Sequence, residues 1–275
     1  MKTYCFTIRS TVSVDDAWQE LEAAGIQPLY SSETPDGVKE IYGNLNAHIS
    51  IDTLRACLSA VSSLVETVLD EIDWASQWES HGLDFREGCV HVDLEAFGCP
   101  ALSLQSVKIL KLEPGPGFGD LYHPTTRLVL NMMAKYVPGA HVLDIGCGSG
   151  ILALAAVAMG AASVHGIDID SAAIAHARHN AMLNGMERQV TFGTPEEYQK
   201  PVEVSTLLVL MNMISSEQAE AWKALPSIHH VQGDCLISGI LEEGLKPYLK
   251  QTRQWGWELR GEMSQEGWLG LHFTR

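Results

Sequence analysis

The stretch at residues 141–170, HVLDIGCGSGILALAAVAMGAASVHGIDID, constrains the fold more than any other part of the chain. Val142, Leu143 and Ile145 form a short apolar run of the kind a strand buried on both faces requires. The turn Gly146-Cys147-Gly148-Ser149-Gly150 follows, and then a run of good helix formers from Ile151 to Met159. Gly160 is placed to stop that helix. Ser163–Ile167 reads as a second strand, with Asp168 at its end. Strand, glycine turn, helix and strand make one unit of a parallel α/β sheet.

The chemistry of that unit is specific. Glycines let the backbone turn tightly and approach a ligand closely. Ligands of open α/β sheets sit at the carboxyl ends of the strands. An acid at the end of the second strand suits both hydroxyls of a ribose. The spacing is G-x-G-x-G, not the dinucleotide G-x-G-x-x-G, and no Lys-Ser/Thr pair follows as in a phosphate loop. With Asp144 just before the turn, the pattern predicts a nucleoside without a pyrophosphate, and so S-adenosylmethionine (AdoMet). The cofactor residues predicted in this unit are Asp144, Gly146, Gly148, Gly150 and Asp168.

Composition narrows the class. The 275 residues carry a formal charge of −16, which disfavours a free nucleic-acid substrate and favours a basic protein or peptide. No apolar run reaches the ~18 residues of a membrane span, and MKTYCFTIRS has no apolar signal core, so a cytoplasmic protein is expected. The six cysteines form no C-x-x-C pair and the histidines do not cluster, so no metal site is expected.

Upstream, residues 1–72 read as a small α+β domain. Strands are expected at Tyr4–Arg9, Pro28–Ser32 and Val38–Tyr42, with helices at Val14–Ala24 and Asp52–Val61. Leu64–Ile72 is a last strand or an extension of the second helix. The order β-α-β-β-α-β is that of a ferredoxin-like domain. Residues 73–112 read as a linker and entry to a catalytic domain over 113–275, with a short helix at Asp73–Trp78 and strands at Cys89–Leu94 and Val107–Leu112. The Gly- and Pro-rich segment from Glu113 to Thr126 must be a shaped loop over the ligand edge, with a helix from Pro124 to about Tyr136.

Beyond Asp170 the alternation continues. A helix capped by Ser171 precedes strands at Val190–Phe192, Leu207–Met211 and Cys235–Ser238, and Asn212 stands at the end of the fourth strand, beside the transferred methyl. A closing hairpin, Trp257–Met263 and Trp268–Thr274 around the turn 264–267, puts one antiparallel strand on a parallel sheet. That is the seven-stranded, Rossmann-like sheet of a class I methyltransferase, and not a dinucleotide fold.

With these residues in view, the chain resembles the PrmA family, which methylates ribosomal large-subunit protein L-eleven. The resemblance is carried by Asp73-Trp74 with Trp78, EPGPGFG…HPTT at 113–126, VLDIGCGSGILALAA, GIDID, Asn212 with Ile214, and LISGILEEG at 236–244. It implies AdoMet contacts from Thr126, Gly146, Asp168 and Asn212, and N-methylation of lysine or α-amino groups of a ribosomal protein. Asn212 is the candidate that fixes the nucleophile, and Tyr122 and His123 line the substrate entry. The chain departs from the family at Phe118-Gly119-Asp120-Leu121-Tyr122, where Phe-Gly-Thr-Gly-Thr is usual, and at Met211 and Ser215-Ser216. The third strand ends in Phe192-Gly193-Thr194 with no Asp for adenine, and Glu196 is the nearest substitute. Two other readings stand beside the first: an AdoMet methyltransferase acting on another protein or a small molecule, and a non-catalytic AdoMet-binding relative.

Overall fold

The computed structural model describes residues 2–34, 36–45, 51–67, 75, 78–79, 84–99, 108–201 and 203–275. The chain divides into two compact units, Met1–Ile72 and Asp73–Arg275.

In the first unit, strands β1 (Lys2–Ile8), β2 (Ile26–Glu33), β3 (Lys39–Leu45) and β4 (Val61–Thr67) form one sheet in the order β2-β3-β1-β4. Every neighbouring pair is antiparallel, the ferredoxin-like arrangement that β-α-β-β-α-β predicts. Helix α1 (Val14–Ala23) is capped by Ser13, whose hydroxyl accepts the Asp16 N–H, and it buries Ala17 and Leu21. The second helix, α2 (Ile51–Cys57), is shorter than expected, and Val61 opens β4 instead of closing the helix. The cause is Glu20: its carboxylate accepts the N–H groups of Ser59 (2.8 Å) and Ala60 (2.7 Å), which would otherwise continue the helical ladder. Residues 68–72, where the last strand was expected to run, lie outside the described residues, as do Asp73 and Trp74 of the short helix.

The second unit opens with a three-stranded sheet, β5 (Phe85–Arg86), β6 (Cys89–Asp93) and β7 (Ile109–Leu112). Sequence reading treats this region as a linker, but Val90, Val92, Leu110 and Leu112 are buried in the same core as the main sheet's helices.

The main sheet holds β8 (His141–Ile145), β9 (Ser163–Ile167), β10 (Val190–Gly193), β11 (Thr206–Asn212), β12 (Gln232–Leu241), β13 (Glu258–Gln265) and β14 (Trp268–Thr274). Their order is β10-β9-β8-β11-β12-β14-β13, with β14 antiparallel to its neighbours and the other inner pairs parallel. Helices α3 (Pro124–Tyr136), α4 (Ile151–Ala158), α5 (Ser171–Leu183), α6 (Ser215–Ala224) and α7 (Leu245–Gln254) connect or flank these strands. The apolar run of β11 shows why both faces are covered. Leu208 and Leu210 join the core under α3, α4 and α5, while Leu207, Val209 and Met211 join the core with Trp222 and Tyr248 of α6 and α7. The chain lays β8, β9 and β10 outward in one direction and then returns to place β11 on the other side of β8. That reversal leaves a crevice at the carboxyl ends of β8 and β11.

Two local details differ from the sequence reading. Helix α5 is capped by Asp170, whose carboxylate accepts the Ala172 N–H at 2.8 Å, so Ser171 is its first helical residue. The closing hairpin turns on two residues, not four: Glu266 and Gly267 have φ of 54° and 81°, and Gln265 pairs with Trp268. That is the handed turn a twisted hairpin prefers.

Packing decides which substitutions are costly. Leu210→Ala, at a fully buried site in the central strand, is expected to destabilise the second unit by about 2–5 kcal/mol. Met263→Ala, on the exposed edge strand, is expected to stay within about 0.5 kcal/mol. Urea unfolding of the two variants reads the difference, and equal midpoints would contradict this assignment of the core.

Candidate active site

The strand ends Ile145, Ile167, Gly193 and Asn212 converge on one edge of the sheet, and a cavity of about 610 Å³ opens there. Its floor is Gly146 and Gly148 from the turn after β8 and Asp168 from the end of β9. Gly146 and Gly148 take φ of 72° and 52°, which glycine adopts without strain. A Cβ on Gly146 would lie 2.1 Å from Met213 Cε, so the bare backbone is also a matter of space.

Asp168 is held by the turn it faces. Its Oδ2 accepts the Gly148 N–H and its Oδ1 accepts the Asp170 N–H, both at 3.0 Å. Each oxygen keeps a lone pair, as a ribose diol needs. Ile169 next to it is 87% exposed and Ile214 across the cavity is 51% exposed. Both line the cavity and give it exposed apolar surface. Pro195, and not Glu196, lines the wall at the end of β10.

The loop 113–123 lies along one side of this floor and is stitched to it by backbone. Ser149 N–H donates to Phe118 O at 2.7 Å and Ser149 Oγ donates to Gly119 O at 2.6 Å. A Cβ on Gly117 would stand 2.4 Å from the Gly148 carbonyl carbon. Helix α5 holds the loop and the strand before it with three side chains spaced four apart. His176 Nδ1 accepts the Gly117 N–H (3.1 Å), and its Nε2–H donates to Glu113 O (2.8 Å). Asn180 Oδ1 accepts the Glu113 N–H (3.0 Å) while its Nδ2 donates to Ser149 O (2.9 Å). Asn184 brackets Lys111, accepting its N–H (2.9 Å) and donating to its carbonyl (2.7 Å). None of these three reads as a site residue in the sequence, where Asn184 only closes the helix. The only signal is their i, i+4, i+8 spacing on one helix face.

The remaining wall belongs to His123, Thr125, Asn212, Met213, Gly239 and Trp268. His123 caps α3: its Nδ1 accepts the Thr125 N–H at 3.4 Å. Its ring meets Phe118 and Trp268 edge-on, with centroids 5.4 and 5.1 Å away. Burial lowers its pKa below the usual 6.5, so the ring is neutral at physiological pH. Asn212 is buried, with Nδ2 donating to Thr126 Oγ1 at 3.4 Å and Oδ1 without a partner among the described residues. An orphaned acceptor in a cavity wall is what an incoming N–H would satisfy.

A stripe of α6 completes the cavity: Glu217, Glu220, Ala221, Ala224 and the following Leu225, at helical spacing. Between β10 and β11 the described residues form turns and no helix. Burial raises the pKa of Glu217.

Four expected site residues are placed elsewhere. Asp144 is 1% exposed and does not line the cavity. In β8 the side chains alternate, Leu143 and Ile145 face one core, and Asp144 turns to the other side under α4. There its Oδ2 accepts the Ala153 N–H at 3.1 Å, supplying the cap that Gly150 lacks the side chain to give. Burial pushes its carboxyl up to about 7. Gly150 faces α5, where an added Cβ would meet Ala177 at 3.0 Å, and also does not line the cavity. Thr126 is fully buried behind Asn212, while its neighbour Thr125 reaches the cavity. Tyr122 is exposed and outside the cavity lining.

Comparisons with known proteins show the family. A family model described as ribosomal protein L11 methyltransferase (PrmA) matches residues 17–275. The ribosomal protein L11 methyltransferase of Methylococcus capsulatus is 29% identical over 92% of this chain and 88% of its own length. That of Geobacter metallireducens is 33% identical over 81% of this chain and 73% of its own. A solved structure described as ribosomal protein L11 methylase, from Lactobacillus delbrueckii subsp. bulgaricus, is 29% identical, with 60% of this chain and 83% of that one covered and a TM-score of 0.49.

The His176 contacts predict a pH dependence. Burial lowers the His176 pKa below 6.5, and the latched ring accepts the Gly117 N–H at Nδ1, which a protonated ring cannot do. The released ring takes up a proton that the latched ring refuses, so the latch is intact above that value and weakens as pH falls below it. Calorimetry from about pH 7.5 to 5.5 is expected to show AdoMet affinity falling with pH. His176→Ala is expected to bind more weakly throughout and to flatten that dependence. An unchanged slope in the variant would show that another group titrates.

Proposed function

The chain belongs to the ribosomal protein L11 methyltransferase (PrmA) family, and from that premise we propose that it moves a methyl group from AdoMet to amino groups of ribosomal protein L11. Lysine ε-amino and α-amino groups are the acceptors of this reading. The observation that carries it is Asn212, a residue of the cavity wall whose buried Oδ1 has no hydrogen-bond partner among the described residues.

The residues present fit the cofactor. Asp168 would hold the ribose, Ile169 and Ile214 the faces of the purine, and Gly146 and Gly148 the backbone approach to the rest. AdoMet, when bound, supplies a methyl activated by a sulfonium, so the protein needs only to orient the acceptor nitrogen and exclude water. Asn212 does the first. Thr126 accepts from Nδ2, which leaves Oδ1 as the carboxamide's unpaired acceptor for an amine N–H. The rim does the second. His123, Phe118 and Trp268 form an apolar, uncharged collar, in which an ammonium is desolvated and its pKa falls toward the neutral, nucleophilic amine.

The substituted loop is compatible with this role. Asp120, which stands where the family has a threonine or glycine run, accepts the N–H groups of Tyr122 (3.2 Å) and His123 (3.4 Å) and so closes the turn into α3. The same departure at 119–122 favours a second reading, in which the same chemistry is aimed at another protein acceptor. The net charge of −16 supports a basic partner over nucleic acid, and a ribosomal target supports a cytoplasmic location. The small N-terminal unit is assigned to gripping the protein substrate.

Incubation with methyl-labelled AdoMet and purified L11 is the direct test. Mass increments of about 14 Da plus the mass of the label, once per methyl, are expected on L11 amines. No label on L11, with label on another protein when a cell lysate replaces L11, would move the assignment to the second reading. Asp168→Ala is expected to weaken AdoMet binding by about 10- to 100-fold, the loss of charge-assisted hydrogen bonds. Asn212→Ala is expected to lower turnover by a similar factor while leaving that affinity within about threefold. Equal losses of affinity in the two variants would remove the separation of roles.

A further inference from the structure

Behind the acceptor wall lies a polar network that no step above uses. Gln218, in the second turn of α6, is fully buried. Its Nε2 donates to Met213 O at 2.6 Å and to Ser238 O at 3.0 Å. Its Oε1 accepts from the hydroxyl of Tyr248 on α7, which is also buried. Ser238 Oγ in turn donates to Leu269 O at 2.7 Å. The β12–β14 register slips between Ile237 and Ile240, at Ser238-Gly239, and Gly239 takes φ 91° with its Cα against the Met213 carbonyl: an added Cβ would stand 2.1 Å from that oxygen.

These contacts meet at the end of β11, the register slip of β12 and the start of β14, which together form one wall of the cavity. Met213 follows Asn212, Gly239 follows Ser238, and Trp268 precedes Leu269; Asn212, Met213, Gly239 and Trp268 all line the cavity. A buried carbonyl at a strand end needs a donor. One carboxamide nitrogen carries two N–H groups, and so joins the end of β11 to the register slip in β12 with a single side chain. The Tyr248 O–H can only be received by Oε1, so it fixes which way the amide faces.

We infer that Gln218 is a positioning residue for methyl transfer: its carboxamide, oriented by Tyr248, sets the Asn212–Met213, Gly239 and Trp268 wall against the cofactor floor. This rests on the reading of Asn212 as the group that orients the acceptor amine. Gln218 touches neither cofactor nor acceptor and acts through the backbone of Met213 and Ser238.

The isosteric variant Gln218→Glu tests it, with AdoMet and L11 as the probes. An ionised carboxylate there faces two carbonyl oxygens and can donate to neither. Protonation, which burial favours, restores one O–H donor. The variant is expected to bind AdoMet within about threefold of wild type while kcat falls about 10- to 100-fold, the cost of a misplaced wall. The ratio of variant to wild-type kcat should climb as pH is lowered from about 8 to about 6. Tyr248→Phe, which removes only the hydroxyl, should lower kcat less and leave KM for AdoMet unchanged. The 13C-methyl resonance of Met213 gives a reading that needs no acceptor: it should shift in both variants and titrate only in Gln218→Glu. Wild-type kcat in Tyr248→Phe, parallel loss of kcat and AdoMet affinity, or an unmoved Met213 resonance would each overturn the inference. Failure of wild-type enzyme to methylate L11 while the Met213 resonance behaves as stated would instead count against the substrate reading and uphold the positioning one.

Discussion

The contact between the loop 113–123 and the glycine turn after β8 is the one on which the site depends. It is a contact of backbone with backbone. Gly117 stands over the Gly148 carbonyl with no room for a Cβ, and Phe118 O takes the Ser149 N–H. Side chains at 117 or 148 would push the two apart, and the wall formed by Pro116, Gly117 and Phe118 would leave the cavity. A loop rich in Gly and Pro cannot hold itself in such a position, because it has no ladder of its own. The holding is done from outside, by His176, Asn180 and Asn184 on α5, whose own start is fixed by Asp170. The turn, the loop and the helix that follows the second strand therefore form one mechanical body.

Much of this was legible in the sequence because it is local. The glycine spacing, the apolar strands on either side and the acid at the end of β9 all report on neighbours a few residues away, and the strand ends follow from them. The ferredoxin-like order of the first unit and the antiparallel closing hairpin were equally visible as patterns of alternation and turn residues. What was hidden is what depends on partners distant in the chain. Asn180 meets Glu113 and Asn184 meets Lys111, and nothing near positions 180 or 184 announces this. The same holds for Glu20, which ends α2 from within α1.

Asp144 shows a different limit. Adjacency to a ligand-binding turn was taken as a sign of ligand contact, yet a strand sends successive side chains to opposite faces. Ile145 reaches the cavity and Asp144, one residue earlier, serves the first turn of α4. Thr126 and Thr125 repeat the lesson at a helix start, where the buried neighbour orients Asn212 and the other meets the cavity. In both cases the motif is right and the direction of the side chain decides the role.

The stripe of α6 that faces the cavity has a consequence for energetics. Trp222 and Gln218 anchor the opposite side of that helix, while Glu217, Glu220, Ala221 and Ala224 border open volume and give α6 few neighbours. Whatever fills the chamber supplies those missing neighbours, so occupancy and the docking of α6 are linked through mass action. Amide exchange in the helix is therefore expected to slow as ligand concentration rises.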